Sequence, residues 1–204
     1  MPAPLRLLCL LASPRRGGNS DLLAQEACQA FEGAGGVVEK IVLNTLNLHD
    51  CRGCDWCKAV HDLPNPCAQL DDMQTLYVKM TEADAVLWAT PIYYWSPAVP
   101  LKMVIDRLFC WGEWQTTRHA CALAGRPVGV AFSFADEDPA TNGYYHAYQI
   151  CKAAVESSGG LWAGCARGAA TNKGDILANP QALALARALG AQLARLAGER
   201  RGSV

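Results

Sequence analysis

The sequence predicts an α/β fold in three layers: a five-stranded parallel sheet of order 2-1-3-4-5 with helices on both faces. Two observations predict it. Short apolar runs of strand length alternate with amphipathic stretches of helix length along the chain, and alternating β and α elements build a parallel sheet through right-handed crossovers. The first apolar run, Leu7 to Ala12, stops at Ser13-Pro14 and feeds a glycine-bearing loop into a helix that opens at Asn19-Ser20. Doubly wound sheets place a ligand at such a turn, where the strand order reverses.

The elements follow in order. The first strand is expected near 5–11, and a helix near 19–34 is ended by Gly33, Gly35 and Gly36. A second strand near 37–43 leads into a long irregular connection, 44–69, which carries four cysteines. Loops of that length are usually functional or disordered. A helix near 70–82 precedes the third strand, 84–90, whose Ala85 to Ala89 reads as a buried strand of the parallel type. Ser96-Pro97 starts a helix near 98–109. Gly125 to Pro127 introduces a strand at 127–134, followed by a helix at 142–158. Gly159-Gly160 introduces the last strand, 160–167, and an Ala- and Leu-rich helix follows at 180–197. The polar tail 198–204 is expected to be flexible. All of 1–204 is expected to form one domain.

Composition narrows the function. The chain has 204 residues, 51% of them hydrophobic by a broad count, and a formal net charge of −1. A large core is therefore available, and no basic block marks a nucleic-acid partner. No stretch reaches the ~18 apolar residues of a membrane span. Arg6 interrupts a first apolar run too short for a signal peptide. A cytoplasmic location is the expectation, and ten cysteines there are not a disulfide framework.

The first turn has the chemistry of a phosphate site. A helix N-terminus offers unpaired N–H groups and the positive end of its dipole. Ser13, Asn19 and Ser20 can add side-chain hydrogen bonds, and Arg15 or Arg16 can add charge. Neither G-x-G-x-x-G nor G-x-x-x-x-G-K-[ST] occurs there, which argues against a dinucleotide site and a nucleotide triphosphatase. A Ser, Asn, Ser loop fits a phosphate monoester such as that of FMN. The bland alternative is an Asn/Ser helix cap. After the third strand come Ile92, Tyr93, Tyr94 and Trp95. Aromatics in a loop wall in a flat π ligand, or pack a subunit interface or core edge.

The two segments S-P-R-x-x-x-N-S and T-P-I-Y-Y-W-S-P-x-x-P-L-K-x-x-I-D-R resemble the NAD(P)H-dependent FMN reductase and iron–sulfur flavoprotein group of the flavodoxin-like superfamily. The resemblance runs from the first strand to the last helix. It implies a flavodoxin-like fold with Ser13, Arg15, Asn19 and Ser20 on the FMN phosphate. It also implies that Pro91, Ile92, Tyr93, Tyr94 and Trp95 line the flavin ring, with Ser133 and Phe134 on a third flavin-side loop.

Cys51, Cys54, Cys57 and Cys67 read C-x2-C-x2-C-x9-C. The first three match the start of a bacterial iron–sulfur run, but Pro66 precedes the last Cys instead of following it. Soft thiolates select iron–sulfur clusters or zinc. A cluster, zinc and thiols without metal all stay open from the spacing. The resemblance implies a [4Fe–4S] cluster in this loop, although the gap to Cys67 is longer than in the compact form. Cys9, Cys28, Cys110, Cys121, Cys151 and Cys165 sit in apolar sequence and need no chemistry.

Competing chemistries fall away. His49, His61, His119 and His146 form no H-E-x-x-H, and no G-x-S-x-G occurs. Asp71-Asp72 is expected to cap a helix, and the acidic run at 136–138 to be a solvated loop. Ser13-Pro14 stands where a signalling receiver domain would need acidic residues. Two readings remain. One is an oxidoreductase passing electrons from NAD(P)H through FMN to a quinone, a flavin or another small acceptor. The other is a one-electron carrier with a protein partner such as ferredoxin. The aromatics at 93–95, with Trp111 and Trp114, predict a homodimer or homotetramer.

Overall fold

The computed structural model describes residues 3–58, 66–111 and 123–203. Its strands are β1 (Arg6–Leu11), β2 (Val37–Val42), β3 (Ala85–Tyr93), β4 (Ser96–Pro97), β5 (Pro127–Phe134) and β6 (Leu161–Ala169). Its helices are α1 (Asn19–Gly33), α2 (Met73–Glu82), α3 (Val99–Arg107), α4 (Tyr144–Ser157) and α5 (Pro180–Gly202). The sheet order is β2-β1-β3-β5-β6, parallel throughout, with the two-residue β4 turned back antiparallel on β3. With β4 set aside this is the 2-1-3-4-5 order. β4 exists because β3 runs three residues past its expected end at Thr90 and folds back on itself. Thr90 makes that return possible: its buried hydroxyl donates to Pro91 O at 2.8 Å and accepts from Ala98 N at 2.9 Å.

Strand side chains alternate between two cores. Leu8, Leu10, Val86, Trp88, Val130 and Phe132 face α2, α3 and α4. Leu7, Cys9, Ala85, Leu87 and Ala131 face α1 and α5. The small residues of α5 let it approach α1 closely. A Cβ on Gly190 would stand 2.0 Å from Ala27 O, so only glycine fits there.

Two expectations are corrected. The flexible tail over 198–204 is helix through Gly202, because Arg201 hydrogen-bonds Ala3 O and Pro4 O and pairs with Asp84. The second is corrected only in part: Asp71 Oδ1 accepts from Met73 N at 3.2 Å at the start of α2, as a cap would, but both acids also tie down the cysteine connection. Asp72 is the N-cap residue of α2 but makes no side-chain cap, and its carboxylate accepts from Asn47 N at 2.7 Å. Asp71 takes Arg107 in a two-pronged pair at 2.8 and 3.1 Å, with both side chains almost wholly buried, and accepts from His49 N at 3.0 Å.

Candidate functional site

The sheet register brings the loops together. Pro91 of β3 stands beside Ser133 of β5, and Ser133 beside Gly168 of β6. Leu11 stands beside Ala89, so the β1 loop leaves the same edge. A cavity of about 200 Å³ opens there. Ser13, Arg15, Gly18 and Asn19 line it from the first loop, and Pro91, Ile92 and Tyr93 from the third. Ser133 and Phe134 line it from β5, and Ala170, Thr171 and Lys173 from the loop after β6.

The first loop is built around its own hydrogen bonds. The Ser13 hydroxyl donates to Arg15 O at 3.0 Å and accepts from Arg15 N at 3.1 Å, which closes a tight turn. Asn44 fixes the strand exit by donating to Ala12 O and Ser13 O. A Cβ on Gly18 would meet the Ser13 hydroxyl at 2.7 Å and Arg15 O at 2.9 Å, so glycine is required. Gly18 is also the N-cap of α1 and makes no side-chain cap. The helix therefore presents its first N–H groups uncapped. The Ser20 hydroxyl is fully buried, lacks a hydrogen-bond partner and is not among the residues that line the cavity.

Asn19 does something the sequence did not disclose. Its amide donates to Ala170 O at 3.1 Å and Asn172 O at 2.9 Å. Its carbonyl oxygen accepts from Gly174 N at 2.9 Å and Ile176 N at 3.4 Å. The side chain is fully engaged, and it fastens the loop after β6 to the start of α1. Thr171 fastens the same loop to β5 through Ala135 O at 3.0 Å.

The aromatic segment divides. Tyr93 lines the cavity, whereas Tyr94 and Trp95 form the two-residue turn between β3 and β4 and are not among the lining residues. Both lie at positive φ, 50° and 63°. Such a turn favours Asn-Gly, so two aromatics there carry backbone strain. Tyr94 is 92% exposed. Trp111 packs inward, edge-on to Tyr77 at 4.5 Å between ring centroids. Trp114, Cys121, His61 and His119 lie outside the described residues.

The cavity is electrostatically one-sided. Arg15 and Lys173 line it, and among the described residues no carboxylate, histidine or thiol does. The residues present fit a dianion such as a phosphate monoester. Sequence reasoning missed Lys173 because nothing in A-A-T-N-K-G-D resembles a phosphate motif.

The cysteine connection is different. Its base is ordered by Asp71 and Asp72 and by Gln69, which donates to Asp50 O at 2.9 Å and accepts from Arg52 Nε at 2.8 Å. Cys51 and Cys54 are exposed, and Cys57 and Cys67 are half-buried against the core. Burial pushes the Cys57 thiol up, and the neighbouring Cys67, Cys51 and Cys54 add to it. Among the described residues no three potential ligands stand together as a metal-holding group. Cys110, beneath them, is pushed up to about 12 by burial. Cys9, Cys28 and Cys151 are likewise buried.

The chain is similar to several known proteins. The family model for the NADPH-dependent FMN reductases matches residues 5–160. An iron–sulfur flavoprotein of Archaeoglobus fulgidus is 32% identical over 134 residues, 62% of this chain and 59% of that protein. One from Methanocaldococcus jannaschii is 34% identical over 103 residues, 50% of this chain and 51% of that protein. The chain thus matches little more than half the length of these relatives. Among solved structures, RosB with bound 8-demethyl-8-formylriboflavin-5′-phosphate shares the fold with a TM-score of 0.75 and 18% identity, covering 98% of this chain and 81% of that one. The NAD(P)H:quinone oxidoreductase of Methanothermobacter marburgensis gives a TM-score of 0.69 and 17% identity, covering 94% and 96%.

Proposed function

This chain belongs to the NADPH-dependent FMN reductase family, and we propose that it is an FMN-dependent oxidoreductase that takes electrons from NAD(P)H and delivers them to a quinone, a flavin or another small acceptor. The observation that carries this reading is the cavity at the strand C-termini, lined by two cations and no carboxylate beside an uncapped helix N-terminus. When bound, FMN supplies the redox chemistry, accepting a hydride and releasing electrons to the acceptor.

The chain's own residues position and neutralise. Arg15, the α1 N-terminus and the Ser13 turn would hold the phosphate. Ser20 is the buried hydroxyl nearest the start of that helix. Pro91, Ile92, Tyr93 and Ser133 would shape the wall for the ring, and the strained turn at Tyr94 and Trp95 would set its outer rim. Among the described residues no carboxylate, histidine or thiol lines the cavity, and the residues that do would contribute position and charge. The test is direct: protein saturated with FMN should oxidise NADPH or NADH and reduce a soluble quinone. Loss of both activities in flavin-loaded protein would refute the reading.

The cysteine loop favours a second reading, in which the chain is a one-electron carrier for a partner such as ferredoxin. Its support is the C-x2-C-x2-C-x9-C spacing of the four thiols and the names of the relatives. Cys51, Cys54, Cys57 and Cys67 would hold a [4Fe–4S] cluster, which moves single electrons. The soft donor set suits it, and ligation would have to draw the exposed Cys51 and Cys54 inward. A reducing cytoplasm suits the nine described cysteines, all free thiols. Among the described residues no helix is long and apolar enough to cross a membrane. The exposed rim of Tyr93, Tyr94 and Trp95 supports a homodimer or homotetramer with the flavin near the contact. Sedimentation showing a monomer at micromolar concentration would refute that assembly.

A further inference from the structure

We propose that Lys173 is a binding residue of the phosphate subsite and makes the cavity prefer a flavin with a terminal phosphate monoester over one without it. The proposal rests on the FMN reading above and assigns a residue that neither the motifs nor the family resemblance marks.

Three observations carry it. First, Lys173 lies 155 residues from the first loop in sequence yet lines the same cavity. Its side chain lies against that loop: a Cβ built on Gly17 would stand 3.7 Å from Lys173 Cε and 3.9 Å from Nζ. Second, the ammonium has no ion-pair partner among the described residues. Asp21 is the neighbouring acid: its Oδ2 accepts from Gly17 N at 3.0 Å and it attracts Lys173, but it forms no contact ion pair with it and does not line the cavity. Third, the position is held. The backbone around Lys173 is pinned by the four Asn19 hydrogen bonds, by Thr171 to Ala135 O, and by Asp175 accepting from Asn172 N at 2.7 Å. A long, flexible lysine on a pinned loop, beside a cavity without carboxylates, is a point charge aimed at an anion.

Charge arithmetic separates the ligands. A phosphate monoester carries a charge of about −1.5 to −2 at neutral pH. Arg15 alone would leave part of it uncompensated, and Lys173 completes the match. A flavin without phosphate gains nothing from either cation. Asn19 acts through the loop and is a positioning residue.

The experiment is a titration of flavin-stripped protein with FMN and with riboflavin, read by quenching of flavin fluorescence. It uses the wild type, Lys173→Gln and Lys173→Arg. Lys173 is exposed, so its replacement should leave the thermal melt of ligand-free protein in place. The expected result is an FMN Kd raised about tenfold in Lys173→Gln, with riboflavin affinity unchanged. Lys173→Arg should recover most of the loss. The salt dependence of FMN binding should also weaken in Lys173→Gln. Equal FMN affinity in wild type and Lys173→Gln would overturn the proposal and leave the FMN reading standing. So would an equal loss for both ligands. Wild-type protein that binds no FMN would end both.

Discussion

The phosphate end of the cavity and the cysteine connection are built by opposite strategies. At the phosphate end every loop is fixed before a ligand arrives. Ser13, Asn44, Asn19 and Thr171 each spend side-chain hydrogen bonds on backbone, and what is left unsatisfied there is an uncapped helix end, the buried Ser20 hydroxyl and Asp21 Oδ1. Among the described residues the cysteine connection is tied at its base by Asp71–Arg107 and Gln69 and further along by Lys58 to Asp55, while two of its four thiols are exposed. A rigid cradle binds with little reorganisation. A loop whose ligands are not yet gathered gains its order from the metal it binds. On the readings proposed above, FMN would enter a preformed site and a cluster would order the loop that binds it.

The largest effect that could break the contrast concerns iron. Protein purified without oxygen should carry about four iron atoms per chain, the stoichiometry of a [4Fe–4S] cluster. Cys54→Ser should lose that iron and keep FMN, as read by iron analysis and flavin absorbance. Wild-type protein with FMN but neither iron nor zinc would remove the metal from this account. Next comes the base of the same loop. Asp71→Asn leaves the buried Arg107 charge unpaired, and urea unfolding should show a loss of about 3–5 kcal/mol.

Asn19→Ala should cost somewhat less, about 2–4 kcal/mol, because two backbone carbonyls and two N–H groups lose partners. It should weaken FMN binding as well, since the loop after β6 comes away from α1. An Asn19→Ala protein as stable as wild type would show that the cradle is not held as described. Acid should act on the cysteine side. Burial pushes the Asp71 carboxyl up, but hydrogen bonds from Arg107 and from the His49 amide outweigh it and hold the group below its ordinary value. Its contribution is therefore complete above about pH 4 and is lost as pH falls through the lowered folded value. The wild type should lose stability over that range more steeply than Asp71→Asn. The smallest effect is a gain. Replacing Tyr94-Trp95 by Asn-Gly should stabilise the fold by about 1–2 kcal/mol, because both positions lie at positive φ.

The fold was legible because its signals are local and repeated. Buried runs such as Ala85 to Ala89 and glycine stops such as Gly33 to Gly36 mark elements without reference to the rest of the chain. The short β4 was not legible, since it depends on Thr90 gripping Ala98 eight residues away. At the site, Ser13, Arg15, Asn19, Pro91, Ile92, Tyr93 and Ser133 were named from the sequence and do line the cavity. Tyr94 and Trp95 form the turn between β3 and β4 and are not among the lining residues, which periodicity cannot show because it does not say where a strand folds back. The role of Asn19 was hidden for a related reason. Its partners, Ala170 to Ile176, are backbone groups more than 150 positions away, and backbone partners leave no residue pattern. Lys173 was hidden with them.

The central claim is tested most directly by one spectrum. FMN-loaded protein, held without oxygen, is mixed with NADPH and then with NADH while the visible flavin band is followed. The account predicts one FMN retained per chain and bleaching of that band by at least one of the two nicotinamides. Protein that retains no FMN, or whose bound flavin neither nicotinamide bleaches, would contradict it.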